Sequence, residues 1–183
     1  MLVTGATGYI GGRLVPRLLE AGHEVRVIVR DAARLRDVPW AGQVEVIAGD
    51  LARAADVERA VEGVEVLYYL VHSMSSAGDF ERTERHVAST VATAAAAAGV
   101  GRIVYLGGLH PEGRLSAHLR SRKEVGEILM RSGVPTAALQ AGVVIGSGSA
   151  SFEMIRHLTE VLPYMPAPKW VRNFIQPIAV RDV

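Results

Sequence analysis

A parallel β-sheet wound both ways, with helices on both faces, is the fold that this 183-residue chain predicts. Three observations carry that expectation. Short β-branched runs alternate with helical patterns from one end of the chain to the other, which argues for βαβ units. The stretch Val3-Thr4-Gly5-Ala6-Thr7-Gly8-Tyr9-Ile10-Gly11-Gly12 places glycines at 5, 8 and 11, after an apolar run and before a helical pattern. The composition is 49% apolar and rich in Val, Ala, Leu and Ile, as strands buried on both faces require. One three-layer αβα domain over residues 1–183 is expected, with residues 143–183 as an irregular segment on the substrate side.

In chain order, Leu2–Thr4 reads as a short first strand. Ile10, Leu14, Leu18 and Leu19 then recur at helical spacing up to Gly22, a C-cap. Pro16 within that helix predicts a local distortion. Glu24–Arg30 is a β-branched strand, and Asp31–Leu35 a turn or short helical connector. Val44–Ala48 is the third strand, Asp56–Glu62 a helix, and Val64–Val71 the fourth strand. Phe80–Ala98 is a long helix and Arg102–Leu106 the fifth strand, opening a Gly107-Gly108 loop. Leu119–Arg131 is a helix and Pro135–Gln140 the sixth strand. Right-handed crossovers give the strand order 3-2-1-4-5-6, a Rossmann-type sheet. Beyond it Gly146–Ser149 reads as a loop and Phe152–Leu162 as a helix, after which Pro163, Pro166 and Pro168 interrupt regular structure. Ile178–Val183 is a strand-like ending.

Net charge is +1 with no run of like charges, so a broad nucleic-acid-binding face is not expected. The chain has no cysteine, which excludes disulfides, thiolate metal sites and cysteine nucleophiles. No signal-peptide pattern opens it, and no apolar run reaches the roughly 18–20 residues that span a bilayer. A soluble, cytoplasmic protein is expected.

The glycine loop is where chemistry is first legible. Gly5 permits a turn that a Cβ would obstruct. Gly8 lets backbone approach a pyrophosphate, and Gly11 lets the helix pack close to the strand. Thr7, Tyr9 and Ile10 lie between them at the helix start, where free N–H groups and the positive dipole end attract phosphate. A dinucleotide is the expected ligand. At the end of the second strand, an arginine favours the 2′-phosphate of NADP and an acid the 2′-hydroxyl of NAD. Arg30 stands there, with Arg34 and Arg13 as neighbours, and Asp31 comes next and competes. NADP is the preferred reading over NAD. Asp50, with Leu51 beside it, either accepts a bond from the adenine amino group or caps the next helix. Leu70, Val71 and His72 close the fourth strand at the carboxyl edge, where ligands lie. Tyr68, Tyr69 and Tyr105 read as core or rim aromatics. His86, His110 and His157 share no metal-like spacing with acids, so no metal is expected.

The glycine loop, Arg30, Gly49-Asp50-Leu51 and the alternating pattern resemble the atypical short-chain dehydrogenase/reductases, including their NmrA-like and extended sugar-epimerase branches. Tyr69-Leu70-Val71-His72-Ser73-Met74 and Gly142–Phe152 are similar to a bacterial NAD(P)H-binding group of the YbjT kind. The resemblance implies an oxidoreductase on a small carbonyl, quinone or sugar-like substrate. The ending Val180-Arg181-Asp182-Val183 resembles a strand that precedes more sequence in relatives, so truncation at the C-terminus is expected. A homodimer or a further C-terminal domain is the partner arrangement left open.

Departures from the family pattern decide how far activity transfers. Active members carry Ser or Thr after the fifth strand and a Tyr-x-x-x-Lys pair on the next helix, the lysine lowering the tyrosine pKa. Here Leu106-Gly107-Gly108-Leu109 ends that strand, with no hydroxyl until Ser116. The matching spacing falls on His118 and Arg122, and the other register puts Leu119 before Lys123. His118 is the candidate acid or base. Arg122 is the candidate partner of the nicotinamide ribose, and Gly107 a backbone neighbour of the cofactor. Ala141, Gly142 and Val143 are expected to run past the nicotinamide. Trp170 and Phe174 are expected in a substrate pocket or the core. The rival reading is a module that holds NAD(P) without turnover, as a redox sensor or accessory domain.

Overall fold

The computed structural model describes residues 1–72, 80–110, 113, 115–162, 164 and 176–183. The strands β1 (Leu2–Thr4), β2 (Arg26–Val29), β3 (Glu45–Ala48), β4 (Val66–Tyr69), β5 (Arg102–Gly108) and β6 (Thr136–Ala141) form one sheet, ordered β3-β2-β1-β4-β5-β6. The pairs β1–β2, β1–β4, β2–β3 and β4–β5 run parallel. Helices α1 (Gly11–Glu20), α2 (Ala54–Val61), α3 (Phe80–Ala97) and α4 (Ala117–Met130) make the crossovers. The chain reverses direction across the sheet between β1 and β4, the switch point at which such sheets bind ligands.

Strand alternation sorts the core into two faces. Leu2, Ile28, Leu67, Tyr69, Ile103 and Tyr105 pack with Val57 and Val61 of α2, Ala88 and Val91 of α3, and Val125 and Leu129 of α4. Val3, Val27 and Val29 pack with Val15 and Leu18 of α1 and with Leu35 and Trp40. Each fully buried aliphatic of this kind stabilises by about 1.5–3 kcal/mol. Arg26 fastens the start of β2, donating to Glu45 at 2.7 Å and to the carbonyls of Ala60 and Glu62 at 2.9 and 2.7 Å.

Several expectations are corrected. The second strand starts at Arg26 and stops at Val29, leaving Arg30 just past its end. The fifth strand does not open a glycine loop: β5 continues through a buried Gly107 and Gly108. A Cβ on Gly107 would lie 2.9 Å from the Tyr105 ring, and one on Gly108 would lie 3.3 Å from Arg122, so neighbouring side chains fill those spaces. Helix α1 runs through Pro16. Proline supplies no N–H to the carbonyl four residues back. That carbonyl, on Gly12, instead accepts from the Trp40 indole at 3.3 Å.

The chain divides into two compact units, Met1–Leu139 and Gln140–Val183. The second holds α5 (Ala150–Val161) and a parallel pair, β7 (Val144–Ile145) with β8 (Ile178–Ala179). Pairing in the strand-like ending is thus confined to two residues. Glu153 accepts from the Gly148 N–H at 3.1 Å. That bond and Arg156 hold its carboxyl below the usual range. Pro163, Pro166, Pro168, Trp170 and Phe174, like Ser73 and Met74, lie outside the described residues. No described helix is long and apolar enough to cross a membrane.

Candidate dinucleotide site

The loop between β1 and α1 is shaped by backbone contacts that exclude side chains. Gly5 has φ +72°, and a Cβ there would come within 2.9 Å of the Leu70 carbonyl oxygen. A Cβ on Gly11 would sit 2.3 Å from the Gly5 carbonyl oxygen and 2.8 Å from Ala6 Cα. The Gly8 N–H closes the turn onto Gly5 at 2.9 Å. Among the described residues, the N–H groups of Thr7, Tyr9, Ile10 and Gly11 donate to no protein acceptor. Ile10 caps α1 without a side-chain bond, and the first turn holds no acid. Unspent donors and the positive end of the dipole therefore converge on one spot, the arrangement that binds a phosphate anion. Arg13 adds a cation there, its guanidinium 3.9 Å over the Tyr9 ring. The Tyr9 hydroxyl is buried with no partner among the described residues. These residues fit a pyrophosphate.

Thr4 was not anticipated as a site residue. The β1–β4 ladder ends at Val3–Tyr68. Beyond it the fully buried Thr4 hydroxyl donates to the Tyr68 carbonyl and accepts from the Leu70 N–H, each at 3.1 Å. It fixes Leu70 and Val71 beside Gly5 at the point where the strands part. Thr4→Val keeps the shape and orphans two backbone groups, so a loss of about 1–3 kcal/mol is expected in chemical denaturation. A loss well below about 1 kcal/mol would contradict the role.

Arg30 is exposed and, among the described residues, bonds no carboxylate; Arg34 is likewise exposed. Asp31 caps the turn after it, its carboxylate accepting from the Ala33 N–H at 2.9 Å. Asp50 is not the cap of α2, whose N-cap is Arg53. Asp50 instead accepts from the Ala52 N–H at 2.9 Å, and its own N–H donates to Asp56 at 3.0 Å. That bond, with Arg53 and Arg59, holds the Asp56 carboxyl below its usual value. His86 reaches the Ala52 carbonyl at 3.1 Å, so the loop carrying Asp50 and Leu51 is tied at three points.

At the other end of the crevice, Arg122 lies against Gly108 at the end of β5. Lys123 is exposed and faces Glu127 at 4.0 Å, whereas Leu119 and Arg122, one from each register, both lie against Gly108. His118 itself stands exposed, its ring stacked on Phe80 at 4.7 Å. His72 is half-buried near Arg122, and burial first, then Arg122, pulls its pKa down to about 4. The unfolded chain therefore binds the extra proton between about pH 6.5 and 4. Stability from His72 is present above 6.5 and lost as pH falls towards 4. The contribution is about 3 kcal/mol, so denaturation at pH 4.5 and 7 should differ less in His72→Gln than in the parent.

Tyr105 is pushed up to about 12, chiefly by burial. Its hydroxyl donates to the Arg122 carbonyl at 2.9 Å. Tyr69 is also raised by burial and meets Tyr105 edge-on at 5.9 Å. Both tyrosines belong to the core, as expected. Ala141, Gly142 and Val143 lie in the second unit. A Cβ on Gly142 would be 2.2 Å from the Gln176 carbonyl oxygen, and the Val143 carbonyl accepts from Ile178 at 3.0 Å. Among the described residues no three His, Asp or Glu side chains stand together as a metal site.

A glycine cradle with open N–H groups at the switch point of a 3-2-1-4-5-6 parallel sheet defines a dinucleotide-binding Rossmann domain. Residues 5–145 match the NAD(P)H-binding family, and the chain belongs to it, as an atypical short-chain dehydrogenase/reductase. It is 30% identical over 171 residues to the ceramide reductase of Caulobacter vibrioides, covering 90% of this chain and 52% of that protein. Among solved structures, it resembles the NADPH-dependent quinone oxidoreductase QOR2 of Escherichia coli, complexed with NADPH. The TM-score is 0.65 and the identity 28%, over 78% of this chain and 49% of that one. The Citrobacter sp. triphenylmethane reductase complexed with NADP(H) shares the fold. Its TM-score is 0.71 at 24% identity, over 87% of this chain and 54% of that one. The chain thus spans about half the length of these relatives.

Proposed function

We propose that this chain is the cofactor-binding part of an NADP-preferring, cytoplasmic oxidoreductase acting on a small carbonyl, quinone or sugar-like substrate. The observation that carries the reading is the cradle at Gly5–Gly11, where backbone excludes side chains and four N–H groups have no protein acceptor among the described residues. The pyrophosphate would lie on Gly5, Thr7, Gly8, Tyr9, Ile10 and Gly11, and the 2′-phosphate on Arg30. Asp31 supports the NADP preference by spending its carboxylate on its own turn. The adenine would border Asp50 and Leu51. Leu70, Val71, His72 and Gly107 would line the nicotinamide half, and Arg122 would hold its ribose. The bound nicotinamide supplies a hydride. His118 remains the acid–base candidate, and its exposure lets it exchange protons with water.

A second reading is favoured by one observation: the positions that hold tyrosine and lysine in active relatives carry His118 and Arg122, or Leu119 and Lys123. On that reading the chain binds NAD(P) without turnover, as a sensor or accessory domain. Protein supplied with NADPH and a panel of quinones and aldehydes separates the two. Oxidation of NADPH that falls in His118→Ala supports the enzyme; saturable binding with no oxidation supports the sensor.

A further inference from the structure

We propose that Glu84 and Ser121 are positioning residues that aim Arg122 at the nicotinamide half of the site, an inference that rests on the cofactor placement above. Helices α3 and α4 meet along small and aliphatic side chains, with Ala88, Val91, Ala95, Val125 and Leu129 all buried. On the same stripe, one turn earlier on each helix, stand two polar residues, Glu84 and Ser121. Ser121 is 2% exposed, and its hydroxyl donates to the Glu84 carboxylate. Glu84 is half-buried, and any other alignment would leave the buried Ser121 hydroxyl without its acceptor, which is penalised more than the bond itself stabilises.

Outer contacts repeat the same register. Glu81 accepts from Arg120 at 2.6 Å, and Arg85 lies 3.3 Å from Glu124. Exposed pairs of this kind are worth little each. A slip of α4 by one turn would break both of them and the Ser121–Glu84 bond together. The residue after Ser121 is Arg122, whose carbonyl accepts from the buried Tyr105 hydroxyl at 2.9 Å. Two partly buried hydrogen bonds, one to α3 and one to β5, therefore hold consecutive residues of α4. The side chain that leaves this clamped peptide is the one that lies against Gly108. A flexible arginine stem would otherwise sample many rotamers.

The test divides the ligand. Binding of 2′,5′-ADP, which lacks the nicotinamide half, is compared with binding of NADPH, alongside a thermal melt. In the parent, NADPH should bind at least tenfold more tightly than 2′,5′-ADP. Arg122→Ala, Glu84→Ala and Ser121→Ala should bring that ratio close to one while 2′,5′-ADP binding holds. Glu84→Gln, which still accepts from Ser121, should keep most of the ratio, and Glu81→Gln all of it. Two results overturn the proposal: Glu84→Ala leaving the ratio intact, or weakening both ligands equally with the melt. If the parent binds neither ligand, the cofactor placement itself is wrong.

Discussion

Gly11→Ala is expected to abolish dinucleotide binding, weakening it by more than about 100-fold. The added Cβ would sit 2.3 Å from the Gly5 carbonyl oxygen and 2.8 Å from Ala6 Cα. Both are backbone atoms, so no rotamer change relieves the clash. Overpacking of this kind costs about 1–3 kcal/mol or more, and about 1.4 kcal/mol is tenfold in binding. Here the strain is released by moving the loop that presents the N–H groups. The neighbouring glycine is the internal control. A Cβ on Gly12 would lie 3.4 Å from the Ala6 carbonyl oxygen, an ordinary contact. Gly12→Ala should therefore bind NADPH nearly as the parent does and melt no lower. Equal tolerance at both positions would mean that the loop is not the cradle described.

Arg30→Ala is expected to weaken NADPH binding by roughly 10- to 150-fold and NADH binding little. A charge-assisted bond to phosphate is worth about 1.5–3 kcal/mol. Arg30 is exposed at the end of β2 without a carboxylate partner among the described residues, so no ion pair has to break first. Arg30→Lys should recover only part of the loss, because an ammonium lacks the planar fork. Fluorescence titration with both cofactors measures the ratio, and an equal loss for both would remove the NADP preference.

The sheet was legible because parallel strands buried on both faces announce themselves as short β-branched runs, and the glycine spacing marked the first crossover. Two kinds of feature escaped. Local geometry misled where a glycine pair looked like a loop: Gly107 and Gly108 stay in β5 because Tyr105 and Arg122 need their space. That reason lies in residues distant from the pair. Polar residues inside apolar stripes carry little signal in the sequence. Thr4 ends a strand and reads as part of a glycine motif, although its hydroxyl replaces the ladder where β1 and β4 diverge. Glu84 and Ser121 did leave a signal, since extending the buried stripes of α3 and α4 back by four residues lands on both. Asp56 left a weaker one, an acid in a helix first turn that serves the preceding loop more than its own helix. His118 and Arg122 share a spacing, yet one is exposed on Phe80 and the other lies against the end of β5.

On the reading proposed above, the Gly5–Gly11 cradle and Arg30 together hold one NADPH. Equilibrium titration of the purified chain with NADPH and NADH, monitored by nicotinamide fluorescence, is the test. The expected result is saturable binding of one NADPH per chain, tighter than NADH by at least tenfold. No saturable binding of either cofactor, in a chain whose melt shows it to be folded, would contradict it.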